Sequence, residues 1–312
     1  MVKTKSAVQS APRSKLAQTA NQMWRDKILY LLLAPTLIYF IVFRVWPMFN
    51  MRLAFYDYKA RGPWVFAGLK YFQMLFKTPA FAEILKNTLI ISFMKYVLLF
   101  PAFVIFALLL NELKVQKFRK YVQVVSYLPH FLSWVVVYGI ATAMLSVNRG
   151  VVNDVIKKLG GQAIPFMNSN KYFQGVIIGT DLWKGLGWGA ITYLAAIMGI
   201  DTALYEAATV DGCGRFRQIW HITLPGIRKI FVVLLILKVG TILDAGFNHV
   251  YVFLTDEVRS SGEIIDTWVY TQGIGKSNYA LATAVGLMKS VLSTVLVLGT
   301  NALSRKWEAS IW

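Results

Sequence analysis

Residues 84–112 read ILKNTLIISFMKYVLLFPAFVIFALLLNE. Between Lys86 and Glu112 the one charged side chain is Lys95. A hydrocarbon core about 30 Å thick needs roughly 20 helical residues to cross it, and this run is longer than that. An open sheet in lipid would leave its edge hydrogen bonds unpaired, so the segment is expected to be helical. Five further runs read the same way: Ile28–Pro47, Tyr121–Ser146, Phe173–Gly199, Ile227–Val250 and Ala280–Ser304. The predicted fold class is all-α, a polytopic membrane protein of about six transmembrane helices over residues 28–312. Composition agrees. Across 312 residues 56% are hydrophobic and 15% charged, against about 25% charged in soluble domains, and the mean hydropathy is +0.52. A chain of this size leaves roughly a quarter of its unfolded surface uncovered, so such a surplus cannot be hidden from water.

The net charge of +18 does not point to nucleic acid, because the basic residues fall between apolar runs rather than in one stripe. In a membrane protein they report topology and contact with anionic lipid headgroups. The basic N-terminal tail, the dense KVQKFRK stretch at 114–120, and Arg305 with Lys306 all favour cytoplasmic N- and C-termini. The tail, 1–27, is rich in Ser, Thr, Gln and Ala and is expected to be disordered. The first run is too long for a signal-peptide core and ends in Arg-Val-Trp-Pro without a small-residue cleavage site, so it reads as an uncleaved span. One cysteine, Cys213, excludes an internal disulfide, and the three scattered histidines form no metal-binding pair. No resident metal or cofactor is expected.

The most informative connection is 200–229, IDTALYEAATVDGCGRFRQIWHITLPGIRK. Asp201 is a good N-cap before Ala-Leu-Tyr-Glu-Ala-Ala, and Gly212 suits a helix C-cap. An amphipathic piece, Phe216–Ile222, then leads to Leu224-Pro225 and the next span. Glu206-Ala207-Ala208, then Gly212, then Ile222-Thr-Leu224-Pro225 resembles the EAA loop of binding-protein-dependent ABC importer permeases. The likeness extends to Asn87-Thr88-Leu89, Ser126-Tyr-Leu-Pro129, Trp183-Lys-Gly-Leu-Gly-Trp188 and Thr283-Ala-Val-Gly286. These resemble the MalF-like oligosaccharide branch, and more closely the LplB-type permeases for complex or polysaccharide-derived sugars.

The resemblance implies that the loop 200–226 is a cytoplasmic coupling helix docking on an ATPase subunit. Glu206 would make a polar contact, Ala207 and Ala208 would allow close packing, Asp211 and Gly212 would set the turn, and Ile222, Leu224 and Pro225 would join the loop to the fifth span. The implied partners are a second, different permease chain, two ATPase subunits carrying ATP and Mg, and an extracytoplasmic sugar-binding protein, all in membrane lipid. The expected role is a transport subunit rather than an enzyme. Gly275-Lys276-Ser277 imitates the end of a P-loop, but Tyr270 stands where its first glycine belongs.

Ionisable residues inside spans are costly and mark candidate sites. Lys95, Lys184, Lys238 and Lys289 fall near span centres, and Asp244 lies in the fifth run. Their bland reading is a structural pair, such as Lys238 with Asp244. Trp183, Lys184, Gly187 and Trp188 combine flat rings with a cation, a pairing suited to sugars. So many lysines favour an acidic, uronate-containing oligosaccharide. A gradient-driven secondary transporter is the competing reading, with the lysines and Asp244 as ion sites, but it leaves the loop spacing unexplained. An integral-membrane enzyme acting on glycans lacks a plausible set of acids. Outside loops at Asn50–Glu83 and Tyr251–Tyr279 would meet the binding protein.

Overall fold

The computed structural model describes Gln22 and residues 24–304. Of the tail expected over 1–27, most lies outside the described residues, and Lys27 already belongs to a helix. The chain divides at Arg52/Leu53 into two compact units. The first is dominated by α1 (Lys27–Phe55). It passes through Pro35 unbroken and takes one π turn at Ile41–Val45. Its apolar side chains lie open, Leu31 and Leu32 at 72% and 71% exposure, as suits a helix solvated by lipid.

The second unit opens with an antiparallel ribbon of β1 (Tyr56–Asp57) and β2 (Val65–Phe66), with Tyr56 opposite Phe66, and then α2 (Lys70–Lys77). Lys70 Nζ and the Tyr71 hydroxyl donate to the Asp57 carboxylate at 2.9 and 2.7 Å. Those two bonds hold Asp57 below the ordinary carboxylate range, while burial and the bond to Asp57 push Tyr71 up to about 12. Next come α3 (Pro79–Glu112), α4 (Gln116–Tyr127), α5 (Trp134–Leu145), α6 (Val151–Lys158), α7 (Asn170–Met198) and α8 (Thr202–Val210). After them follow α9 (Arg215–Gln218), α10 (Leu224–Val239), α11 (Phe247–Phe253), α12 (Arg259–Gly262), α13 (Ile265–Tyr270) and α14 (Tyr279–Ser304). The helices α3 and α7 form the central pair. Phe100, Val104, Leu110, Tyr193, Ile197 and Ile227 pack at one end of it, and Ile91, Phe173, Ile177, Val250 and Phe253 at the other.

The chain is an all-α polytopic membrane protein, but its spans are less regular than six uninterrupted helices. Among the described residues α1, α3 and α14 are each long and apolar enough to cross a membrane. The expected third span, Tyr121–Ser146, is broken: α4 ends in a 3-10 turn at Leu128–Phe131, and α5 departs at 106°. Pro129 lacks the N–H that would continue the helix. Ser133 starts the new one, its Oγ accepting from the Val136 amide at 3.3 Å. The expected fifth span, Ile227–Val250, also stops early. It ends at Val239, passes through Gly240–Gly246 with Gly246 at φ +92°, and resumes as α11.

Tyr251–Tyr279, expected as an outside loop, is not irregular. It is largely helical, and Ile264, Ile265 and Trp268 are buried. Asn87 Nδ2 donates to the Ser260 carbonyl at 2.7 Å, Gln174 Nε2 to the Ser261 carbonyl at 2.9 Å, and the Ile265 amide to Thr88 Oγ1 at 2.9 Å. These bonds satisfy backbone groups that would otherwise be orphaned among the packed helices.

Candidate substrate cleft and coupling loop

The bend at 128–133 lays Leu128–Phe131 beside α7 and opens a cleft of about 580 Å³ between α3, α7 and α10. Its walls include Phe100, Phe103, His130, Trp134, Asp181, Lys184, Trp188, Tyr193 and Lys238. Lys184 and Trp188 share it because positions i and i+4 lie on one helical face. Trp188 stacks parallel on His130, with centroids 4.4 Å apart. Lys184 Nζ donates to the carbonyls of Pro129 and His130 and sits 5.3 Å from the centre of the Trp134 ring. Lys238 points into the cleft and, among the described residues, has no ion pair. The Tyr193 hydroxyl is buried behind the cleft wall with no hydrogen-bond partner among the described residues. Cations and ring faces suit a polyhydroxylated, negatively charged ligand.

Five of the expected pathway residues stand elsewhere. Trp183 lies about 140° around α7 from Trp188 at 3.6 residues per turn, is exposed, and is not on the cleft wall. Gly187 serves packing: a Cβ there would run into the Ser126 carbonyl, so α4 and α7 touch through backbone. Lys95 is consumed by a buried network. Its Nζ is 2.8 Å from Asp181 Oδ2, donates to the Ala245 carbonyl at 2.9 Å and meets His249 Nδ1 at 3.4 Å. Since the ammonium can only donate, Nδ1 accepts and Nε2–H donates to Thr180 Oγ1 at 3.0 Å. Trp134 covers that imidazole at 3.6 Å between centroids. Lys289 binds Asp266 through both carboxylate oxygens at 2.6 and 2.8 Å. The pairing suggested for Lys238 with Asp244 does not occur. Asp244 sits in the Gly240–Gly246 break and accepts from the Gly246 amide at 3.2 Å.

The coupling loop begins with a 68° bend between α7 and α8. Asp201 Oδ1 caps α8 by accepting from the Ala203 amide at 2.9 Å. The helix closes in a Schellman motif after Asp211: Gly212 adopts φ +75°, its amide bonds Thr209 O at 3.1 Å, and the Cys213 amide bonds Ala208 O at 2.8 Å. Gln218 Nε2 donates to Thr209 Oγ1 at 2.9 Å and Cys213 O at 3.1 Å, and the Tyr205 and Thr223 hydroxyls meet at 2.9 Å. These contacts turn Tyr205 and Ala208 inward and leave Glu206, Ala207 and Val210 open, Val210 at 89% exposure. The amphipathic piece and the next span, expected as separate elements meeting at Leu224-Pro225, form one continuous helix. A π turn over Ile219–Thr223, which includes Ile222, joins α9 to α10, with the Leu224 amide reaching back five residues to Ile219 O. That turn accommodates the missing N–H of Pro225.

His130, Trp134, Asp181 and Tyr193 escaped the sequence reading. Pro129 with Ser133 four residues on was the available signal for the first two, since a proline followed by a serine cap marks a break in the helix.

Residues 72–309 match the family described as binding-protein-dependent transport system inner membrane component. The chain is 43% identical over 300 residues to the polygalacturonan/rhamnogalacturonan transport system permease protein YteP of Bacillus subtilis, covering 95% of this chain and 93% of that one. It is 42% identical over 289 residues to Protein LplB of the same organism, covering 91% and 90%. Among solved structures, it superposes with TM-score 0.87 on a chain of a bacterial alginate ABC transporter in complex with alginate pentasaccharide-bound periplasmic protein. That match is 36% identical and covers 93% of this chain and 98% of the other.

Proposed function

Because this chain belongs to the family of binding-protein-dependent transport system inner membrane components, we propose that it is a permease subunit of an ATP-driven importer for acidic oligosaccharides. It pairs with a second, different permease chain and two ATPase subunits, which hold ATP and Mg. An extracytoplasmic binding protein delivers sugar to the face opposite the coupling loop. Both termini and the loop 200–226 lie on the cytoplasmic side, consistent with the flanking basic residues. ATPase closure is passed through Glu206, Ala207, Val210 and the Gly212 turn to α10, and the cleft opens alternately to each side.

The observation that carries the substrate class is the charge left in the cleft. Lys95 and Lys289 are neutralised by Asp181 and Asp266. Lys184 and Lys238 reach the cleft without an ion pair among the described residues. A uronate carboxylate would supply the missing countercharge, with Trp188 and Trp134 offering ring faces. The relative named for polygalacturonan and rhamnogalacturonan, and the one that imports the acidic polysaccharide alginate, support the same reading.

Uptake by proteoliposomes holding the complete transporter, its binding protein and internal ATP provides the test. Lys238→Ala is expected to slow uptake of an acidic oligosaccharide about tenfold, from loss of a charge-assisted hydrogen bond of about 1.5 kcal/mol. Uptake of a neutral oligosaccharide of equal length should change little. An equal loss for both would reject the charge assignment, and uptake independent of ATP would reject the importer.

A further inference from the structure

Two open aromatic side chains on the outer limb of the coupling loop, Phe216 at 80% and Trp220 at 63% exposure, stand between two recesses. One is a trough of about 500 Å³ between α3 and the continuous helix from α9 into α10. Its walls are carbon, from Val104, Ile105, Leu108, Ile227 and Phe231, and Arg228 is its single charged wall residue. The other recess shares Phe216 and Trp220 and is lined by Arg215, Arg217 and His221. Among the described residues Arg217 and Arg228 have no ion pair, whereas Arg215 lies 3.5 Å from Glu112. Helical side chains lean toward their own N-terminus, so Arg228, about two turns beyond Trp220 on the same helix, leans back along the trough wall toward Trp220.

A cavity that is apolar along two membrane helices and cationic where it meets the loop fits an amphipath with a negative head. The geometry points to a bound anionic phospholipid at this place. An acyl chain lies in the trough along α3 and α10, the phosphate faces Arg228 and the basic recess, and Phe216 and Trp220 close over the glycerol. Charge and polarity are complementary: carbon walls call for a hydrocarbon chain, and the cations Arg217 and Arg228, without an ion pair among the described residues, for a phosphate. A leaflet rich in anionic lipid attracts such residues. The occupant would bridge the coupling loop to the second span, making loop position sensitive to headgroup charge.

Native mass spectrometry would test this, using the delipidated full-length chain, alone and assembled with its partner subunits, titrated with dioleoylphosphatidylglycerol or dioleoylphosphatidylcholine. One phosphatidylglycerol should be retained in both preparations and preferred over phosphatidylcholine. Arg228→Ala should weaken phosphatidylglycerol binding about fivefold, the contribution of one cation near an anionic surface, and leave phosphatidylcholine unchanged. Ile105→Trp, at an open position that needs no refolding of the core, should fill the trough and weaken both lipids. Equal affinity for the two lipids, or a preference untouched by Arg228→Ala, would overturn the proposal. Loss of the lipid on assembly would also overturn it, in favour of a partner subunit as occupant.

Discussion

Replacing Asp181 with alanine is expected to remove most of the folded protein from detergent extracts. Among the described residues the carboxylate is the only counter-ion within bonding distance of Lys95, whose side chain is 8% exposed. Breaking a buried pair by removing one member costs about 3–5 kcal/mol, because the other charge remains without compensation. Domains are typically stable by only 5–15 kcal/mol in total. The damage should spread, since Lys95 also holds the Ala245 carbonyl and faces His249, and so ties α3 to α7 and to the broken fifth span. Lys95→Met with Asp181→Leu should recover part of the loss by removing both charges. Recovery should be incomplete, because the Ala245 carbonyl then lacks its donor, at a cost of about 1–3 kcal/mol. Fluorescence-detected size-exclusion chromatography after graded heating would measure this. An Asp181→Ala protein melting with the wild type would show that the network is not structural.

At Gly212, substitution by valine should abolish uptake while sparing assembly of the fold. The residue sits at φ +75° with open space where a Cβ would be, so the obstacle is backbone strain and not a clash. A left-handed conformation costs a side-chain-bearing residue about 1–2 kcal/mol, enough to undo a two-bond cap at a surface loop. The amides of Gly212 and Cys213 would leave Thr209 and Ala208, and α8 would no longer present Glu206, Ala207 and Val210 in register. ATP hydrolysis by the complex should then continue with little transport. Asn tolerates this conformation better, so Gly212→Asn should retain most uptake. Loss of uptake in both variants would mean that side-chain volume at the turn matters, and full uptake in both would reject the coupling role of the loop.

The long helices were legible because nothing interrupts them: α3, α7 and α14 lie within a few residues of the apolar runs that announced them. The loop 200–226 was legible because its cap residues act locally, Asp201 on Ala203 and Gly212 on its own helix. Breaks at 128–133 and 240–246 were missed because hydropathy is blind to backbone direction. The proline, the serine cap and the paired glycines were visible but were outweighed by the apolar residues around them. Charge pairing lay beyond sequence reading. Lys95 finds Asp181 on a different helix, and Lys289 finds Asp266 in a stretch that reads as an external loop yet folds back among the helices. The separation of Trp183 from Trp188 was calculable, since five residues place them on different faces.

The π turn at Ile219–Thr223 has a mechanical consequence. By closing the gap that Pro225 would leave, it makes Arg215–Val239 a single rod, about 37 Å long at the usual helical rise. One end carries the loop surface at Phe216, and the other carries Lys238 on the cleft wall. A tilt of about 10° at the loop end, pivoting there, would sweep the far end through about 6 Å over that length. On the proposed topology, a lever with its handle outside the hydrocarbon and its tip at the cleft would need no relay of side-chain rearrangements, and its stiffness would set how much torque reaches the cleft.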